Sequence, residues 1–552
     1  MAAAKNVGNA FGFNVHVNED SNPQDISKEG HLVRDVIYGS NFVASHLVHF
    51  YQLAALDFID VAAILDKPPF APRYGPGPAA ASYPYYYRIP TNISTYLVAQ
   101  YVLALQFRRQ CNQIGAIWGG RAPFVQGLTP GGASTSVTAE AVTKSRELLY
   151  GGTGYDKDNP KPGTILAFIG SPLDFAAWVA DTGGDTSKLP IIGDGTYGGT
   201  MLFDVVAAAM FYAEYFWIGN AYERFLAYGV FERGDDSNPL GDKRLLSRGR
   251  KRTGQQYSAF TPPAKPPEWF PAEQEMVHES VAKSYYSYVN EATIKWRHPW
   301  YGQTVPKPGK GGSYSWVKSP RYKDLTDPMG GGKWIPYEAG PLARMMVNGD
   351  YYAGFLYDAG YTTVPVGPLA TAKVPEYGDP GPDLSAVFGA GYPNLGSISY
   401  NGDSCLDRYA ARQLEAYKIA RAMADWLDEL DGSVGAETST SRPIPARADG
   451  YGWTEAPRGA LGHWIKIRQG KIKKYQCVVP STWNASPRDA TGRAGPAEKA
   501  MKGIWIKNVD HPLEVLRVSH SWDFCTACAV HLVSKDNGKK EEKVFEMNPT
   551  YI

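Results

Sequence analysis

The chain has 552 residues, with 56 basic and 55 acidic side chains, a formal net charge of +1 and 43% hydrophobic residues. Balanced charge argues against a nucleic-acid or polyanion binder, and ordinary hydrophobicity argues against wholesale disorder. Five cysteines are too few for a disulfide scaffold, and an odd count leaves at least one unpaired.

The opening stretch, MAAAKNVGNAFGFNVHVNEDS, has one lysine and no long apolar run, so no secretory signal is expected. His31 to Leu65 has the periodicity of a helix with a long apolar face. Ser94 to Trp118 is a second helix, stopped by Gly119 and Gly120, and Ser136 to Leu149 a third. Met201 to Tyr228 is apolar nearly all round. It carries Asp204 and Glu214, which suits a buried helix better than a membrane span. Leu406 to Leu430 is a fifth helix, charged on one face and ended by Asp431-Gly432. His463 to Arg468 and Lys473 to Val479 alternate as a hairpin around Gln469-Gly470. Between these lie Gly/Pro/Tyr-rich loops at Lys67 to Tyr87, Pro262 to Pro271 and Gln303 to Pro336. The expected fold is mixed α and β, predominantly helical: a bundle of long helices with peripheral β structure.

Three blocks carry chemistry. The sharpest is Asp523-Phe-Cys525-Thr-Ala-Cys528-Ala-Val-His531. Two cysteines three apart can aim their thiolates at one metal, and His531 follows at the same interval. A structural zinc half-site, a redox disulfide or two buried thiols are the plain alternatives. No second C-x-x-C exists in these residues, so a metal here takes further ligands from elsewhere. The second block, Glu455-Ala456-Pro457-Arg458-Gly-Ala-Leu461-Gly-His463-Trp464, puts an arginine in a Gly/Pro turn just before a strand. The third, Gln476-Cys477-Val-Val479-Pro480-Ser481-Thr-Trp483-Asn484, is a strand ending in a polar turn. Read singly, the last two are an ordinary turn and a strand end.

In order and together, the three blocks resemble the C-terminal half of the nickel–iron hydrogenase large subunit. The resemblance begins near Ile26. It takes in His46-Leu-Val-His49-Phe-Tyr51, Ser313-Tyr-Ser-Trp316-Val-Lys-Ser-Pro320-Arg321-Tyr322 and Glu338-Ala-Gly-Pro341-Leu-Ala-Arg344. It implies a catalytic domain over residues 26–531, a divergent extension at 1–25, and a tail at 532–552 of the kind removed on maturation; a permanent strand is the other reading of that tail. It implies a nickel–iron centre with cyanide and carbonyl on the iron, with Cys525 a terminal nickel ligand and Cys528 a bridge. Magnesium would be bound by His531 and the carbonyl of Cys477. Arg458 would sit over the open coordination position with Asp523 as its partner. Ala456, Pro457, Leu461, Val479, Pro480 and Ser481 would line the diatomic ligands.

The activity implied is reversible heterolytic cleavage of dihydrogen. The electrons would pass to a small iron–sulfur subunit, because this chain has too few cysteines for such clusters. Relatives of the respiratory uptake type imply a membrane cytochrome or quinone-linked partner. They also imply membrane association on the periplasmic or outer face by co-export, with a cytoplasmic location as the alternative. Three departures stand out. The family's early R-x-C-G-x-C segment does not occur, so a separate polypeptide is expected to supply two nickel ligands. Ser45 stands where many relatives have aspartate, and Phe524 replaces the proline before the first cysteine. Two other roles suit the same fold: a catalytically silent assembly subunit, or a metal-free quinone-site subunit as in respiratory complex I.

Overall fold

The computed structural model describes residues 1–13, 26–59, 87–89, 91–170, 200–232, 244–252, 276–289, 295–323, 334–349, 378–388, 390–509, 512–524, 530–536 and 539–545. Cys525 and Cys528 therefore lie outside the described residues, as do residues 60–86.

Helix α1 spans Ala2–Ala10 and α2 spans Lys28–Val48. Ser27 starts α2 by accepting a hydrogen bond from Gly30 N, and the helix then loosens into a π turn over His49–Ala54. Helix α3 (Thr91–Gly119), α4 (Ala139–Leu149), α5 (Met201–Phe211), α6 (Pro341–Asn348) and α7 (Cys405–Asp431) follow. Ser404 and Asp407 form a reciprocal capping box at the start of α7. Helices α2, α3 and α7 share the largest apolar core, with Leu32, Val36, Leu47, Ile114, Trp118, Ile419 and Trp426 almost wholly buried. Gly39 of α2 lies so close to Met423 of α7 that a Cβ would come within 2.9 Å of its side chain.

The fourth predicted helix is cut short. After α5 comes a 3₁₀ turn at Ala213–Phe216, and Arg224–Val230 is then a strand, β1, paired antiparallel with β2 (Leu246–Arg252). The helix ends at Tyr212, which leaves helical geometry at φ −132° and ψ 37°, and the aromatic stretch Arg224–Val230 beyond it finds a strand partner.

Strands β3 (Arg447–Ala456), β4 (Gly459–Arg468) and β5 (Lys471–Val478) form an antiparallel sheet in that order. Gln469 and Gly470 make the β4–β5 turn with φ +56° and +67°, the left-handed geometry that a two-residue hairpin requires. The sheet is not peripheral. Its Trp453 and Trp464, with Trp483, are the centre of a second buried core. Helix α1 lies against its far side so closely that a Cβ on Gly452 would meet Asn6 N at 2.3 Å. Helix α8 (Pro480–Asn484) follows β5, and α9 (Leu513–Ser521) leads to Asp523.

Near the C-terminus, β6 (Val530–Asp536) and β7 (Lys539–Phe545) pair antiparallel, with His531 opposite Val544. No helix among the described residues is long and apolar enough to cross a membrane. The Lys310 ammonium donates to the carbonyls of Val281, Ser284 and Tyr286.

Candidate active site

Pro457 and Arg458 form the two-residue turn between β3 and β4, where Ala456 pairs with Gly459. The strand before the arginine was not visible in the sequence, where only the strand after it could be read. The turn is packed against the segment leading into α6. Gly459 has φ +134°, and a Cβ there would sit 2.7 Å from Gly340 N, so only glycine lets the two backbones approach this closely.

Arg458 Nε donates to Asp523 Oδ1 at 3.1 Å, and Arg458 Nη1 donates to Ser45 Oγ at 3.5 Å. The fold thus joins the arginine turn, the residue two before Cys525, and α2. The side chain of Arg458 is 29% exposed, whereas that of Asp523 is 3% exposed. Burial pushes the Asp523 carboxyl up, but the guanidiniums of Arg458 and Arg412 help outweigh it and hold the group below the usual carboxylate range. Asp523 itself has φ +52°, a left-handed conformation that aspartate tolerates better than most residues.

Two more groups close on the same turn of chain. His49 Nε2 meets His520 O at 2.6 Å, and Asp523 N donates to that same carbonyl at 3.0 Å. Because a carbonyl only accepts, Nε2 carries the proton and His49 is the Nε2–H tautomer. Burial, with Arg412 nearby, keeps its imidazole well below the ordinary histidine range. Arg412 Nη2 donates to Ser521 O at 3.2 Å.

Behind the turn lies a fully buried ionic cluster. Arg344 Nε and Nη2 grip both oxygens of Glu415, at 2.5 and 2.6 Å, and Nη1 reaches Glu455 Oε2 at 2.7 Å. His46 Nε2 meets Glu415 Oε2 at 2.8 Å. Burial would raise the Glu415 carboxyl, but Arg344 and His46 bring it down to about 2. Burial dominates at Glu455, whose carboxyl is pushed up to about 7 despite Arg344. Asn484 of α8 ties this region to the third block: its amide donates to Ala339 O at 2.7 Å, and its carbonyl accepts from Ala339 N at 2.9 Å.

The other predicted residues fall as follows. Pro457 and Pro480 are buried, while Ala456, Leu461 and Ser481 are half-buried. Val479 is 38% exposed. Cys477 is exposed on β5 opposite His463, and burial of part of its thiol moves it above the usual range. His531 is described through its backbone in β6. Cys111 and Cys405 are buried in the helical core, and burial pushes the Cys405 thiol up to about 12. Among the described residues, no three His, Cys, Asp or Glu side chains gather as a metal site.

Sequence reasoning missed Glu415, Arg412 and Arg408, which it assigned to a charged helix face. That face is buried: Arg408, Arg412 and Glu415 are 2%, 1% and 0% exposed. Their spacing of three and four residues was a signal of a shared stripe, but its partners Glu338, Arg344 and Asp523 come from distant segments.

The sequence profile of the nickel-dependent hydrogenases matches residues 13–74, 70–150, 197–354 and 359–531. The chain is 29% identical to the periplasmic [NiFeSe] hydrogenase large subunit of Desulfomicrobium baculatum, covering 95% of this chain and 83% of that protein. It is likewise 29% identical to the uptake hydrogenase large subunit of Bradyrhizobium diazoefficiens, covering 99% and 86%. A solved structure of the Dm. baculatum [NiFeSe]-hydrogenase superposes with a TM-score of 0.64 at 28% identity, over 95% of this chain and 84% of that one.

Proposed function

Because the chain belongs to the nickel-dependent hydrogenase family and is a hydrogenase large subunit, we propose a specific role for its site: reversible heterolytic cleavage of dihydrogen, with electrons passed to a small iron–sulfur subunit. The observation that carries this reading is the contact between Arg458 and Asp523, at 3.1 Å and 65 residues apart. It sets a guanidinium beside the segment that runs directly into Cys525 and Cys528.

The donor chemistry of this segment fits a nickel–iron centre. Two soft thiolates suit nickel and low-spin iron, and the buried Oδ2 of Asp523 has no hydrogen-bond partner among the described residues. Cys525 and Cys528 would hold the metals, with cyanide and carbonyl on the iron. When bound, the centre supplies the site where dihydrogen is polarised and split. Arg458 presents a fixed positive charge at the mouth of the site, and its high proton affinity favours electrostatic stabilisation over service as a base. Asp523 holds that guanidinium by its Nε, leaving Nη2 free of the Asp523 contact. Ala456, Pro457, Leu461, Val479 and Pro480 offer apolar walls to carbonyl, and the Ser481 hydroxyl is a donor suited to a cyanide nitrogen. His531 and the carbonyl of Cys477 would bind magnesium, a hard cation that takes oxygen and water ligands.

Two further thiolates are needed for a four-sulfur nickel site. Cys111 and Cys405 are committed to the helical core, so the missing pair comes from outside these 552 residues, for which a separate polypeptide is one source. A purified complex with no R-x-C-G-x-C segment in any of its chains would refute that assignment. Residues 26–531 would form the catalytic domain, with 532–552 a tail removed on maturation. Co-export with the small subunit, in the manner of uptake enzymes, would place the complex at the outer face of a membrane beside a cytochrome or quinone-linked subunit.

The test is metal analysis of the matured complex with infrared spectroscopy. Nickel, iron, and cyanide and carbonyl bands are expected; a matured complex lacking both metals would sink the reading and favour a silent or metal-free quinone-site subunit. Cys528→Ser should abolish hydrogen oxidation and metal retention, and unchanged activity would remove Cys528 from the site.

A further inference from the structure

The guanidinium of Arg344 is wholly buried, and all five of its N–H groups are engaged. Three go to carboxylates: Nε and Nη2 to Glu415, and Nη1 to Glu455. The remaining two go to the arginine turn itself. Nη1 donates to Ala456 O at 2.9 Å, and Nη2 donates to Pro457 O at 2.8 Å. These carbonyls belong to the two successive peptide groups that lead into Pro457 and Arg458. One planar group therefore fixes both peptide planes of the turn that carries Arg458.

The rest of the surroundings make this grip rigid. Glu415 is clamped from its other side by His46, so the carboxylate cannot swing away from Arg344. Glu455 accepts from Tyr228 N at 2.5 Å, which anchors β3 to β1 just ahead of the turn. Gly340, four residues before Arg344, sits against Gly459 on the turn's other side.

We infer that Arg344 is a positioning residue for the reaction: it never touches the reacting atoms but sets where the Arg458 guanidinium points. Its five donors lie in one plane, and each of the two turn carbonyls takes one. A lysine ammonium offers three donors on a flexible stem and cannot hold two peptides and two carboxylates in one orientation. Oriented charges lose effect steeply when displaced, and misplacement of about 1 Å can cost about 10²-fold in rate. The inference rests on the proposed role of Arg458.

The experiment is a double-mutant cycle in the matured complex, comparing Arg344→Lys, Arg458→Lys and the pair, with nickel and iron content and the infrared bands measured alongside. Arg344→Lys should lower kcat by about tenfold or more while KM for dihydrogen changes by less than about twofold, with metals retained. In the Arg458→Lys background the same change should cost almost nothing, because an effect exerted through Arg458 cannot be lost twice. Full additivity, or an unchanged kcat, would overturn the inference. Glu455→Gln, which loosens the same grip while keeping an acceptor for Tyr228, is run in the same cycle and carries the test if Arg344→Lys does not assemble. Failure of both to give a metal-loaded complex would assign Arg344 to folding and also overturn the inference. If the unmutated complex lacks nickel and iron, the functional reading fails; metals present with an additive cycle remove only the role of Arg344.

Discussion

Glu415→Gln is the most quantitative probe of the ionic cluster behind the turn. The carboxylate is fully buried, held by two Arg344 donors and by His46. Its proton affinity drops from the ordinary 4.5 to about 2. That depression is worth about 3 kcal/mol of stability at pH 7. Removing one partner of a buried ion pair independently suggests about 3–5 kcal/mol, so the two estimates agree. The sign follows from the direction of the change. A depressed carboxyl stabilises the fold above its unfolded value of 4.5 and loses that contribution as pH falls toward about 2. The gap between wild type and Glu415→Gln should therefore shrink on acidification, from about 3 kcal/mol at pH 7 to about 2 kcal/mol near pH 3.5. Denaturant unfolding of the complex at several pH values, followed through the unfolding of this chain, measures it. A gap that stays constant with pH, or a variant as stable as wild type at pH 7, would refute the assignment of a buried carboxylate to this position.

Three other outcomes follow from the same geometry. Asn484→Ala should destabilise the chain by about 3 kcal/mol, because Ala339 loses both its buried partners; a lowered unfolding temperature checks this. Gly459→Ala should reduce both stability and hydrogen oxidation, since the new Cβ would lie 2.7 Å from Gly340 N at a φ of +134°; an unaltered melting curve would show that the turn yields more easily than its packing implies. Asp523→Asn keeps the shape of the side chain but removes the charge opposite Arg458, so turnover should fall by about tenfold or more while nickel is retained, as read by activity and metal content.

Some of this molecule could be read from neighbouring residues alone. The start of α4 at Thr138, the end of α7 at Asp431-Gly432 and the Gln469-Gly470 hairpin depend on local capping and turn chemistry. The helical reading of Met201 to Tyr228 failed beyond Phe211 because an apolar run does not say which partner will bury it. Arg224–Val230 became a strand because Leu246–Arg252 lies alongside.

The candidate site divides along the same line. The sequence by itself singled out the candidate chemistry-bearing residues: the spaced cysteines, the arginine in its turn, the aspartate two before Cys525, and the serine on the early helix. It also placed the chain among the nickel–iron hydrogenase large subunits through blocks that each keep their own short pattern. The Arg458–Asp523 contact was already implied by the family resemblance and is present at 3.1 Å; only the tertiary structure decided that the charged stripe of α7 faces inward and that Arg344 holds the turn. The reason is that a charge on a helix face looks the same in sequence whether water or a distant carboxylate surrounds it. Glu415 and Arg344 are 71 residues apart, and Arg344 and Glu455 are 111 apart. Their burial is tolerable only because the fold brings these opposite charges into contact.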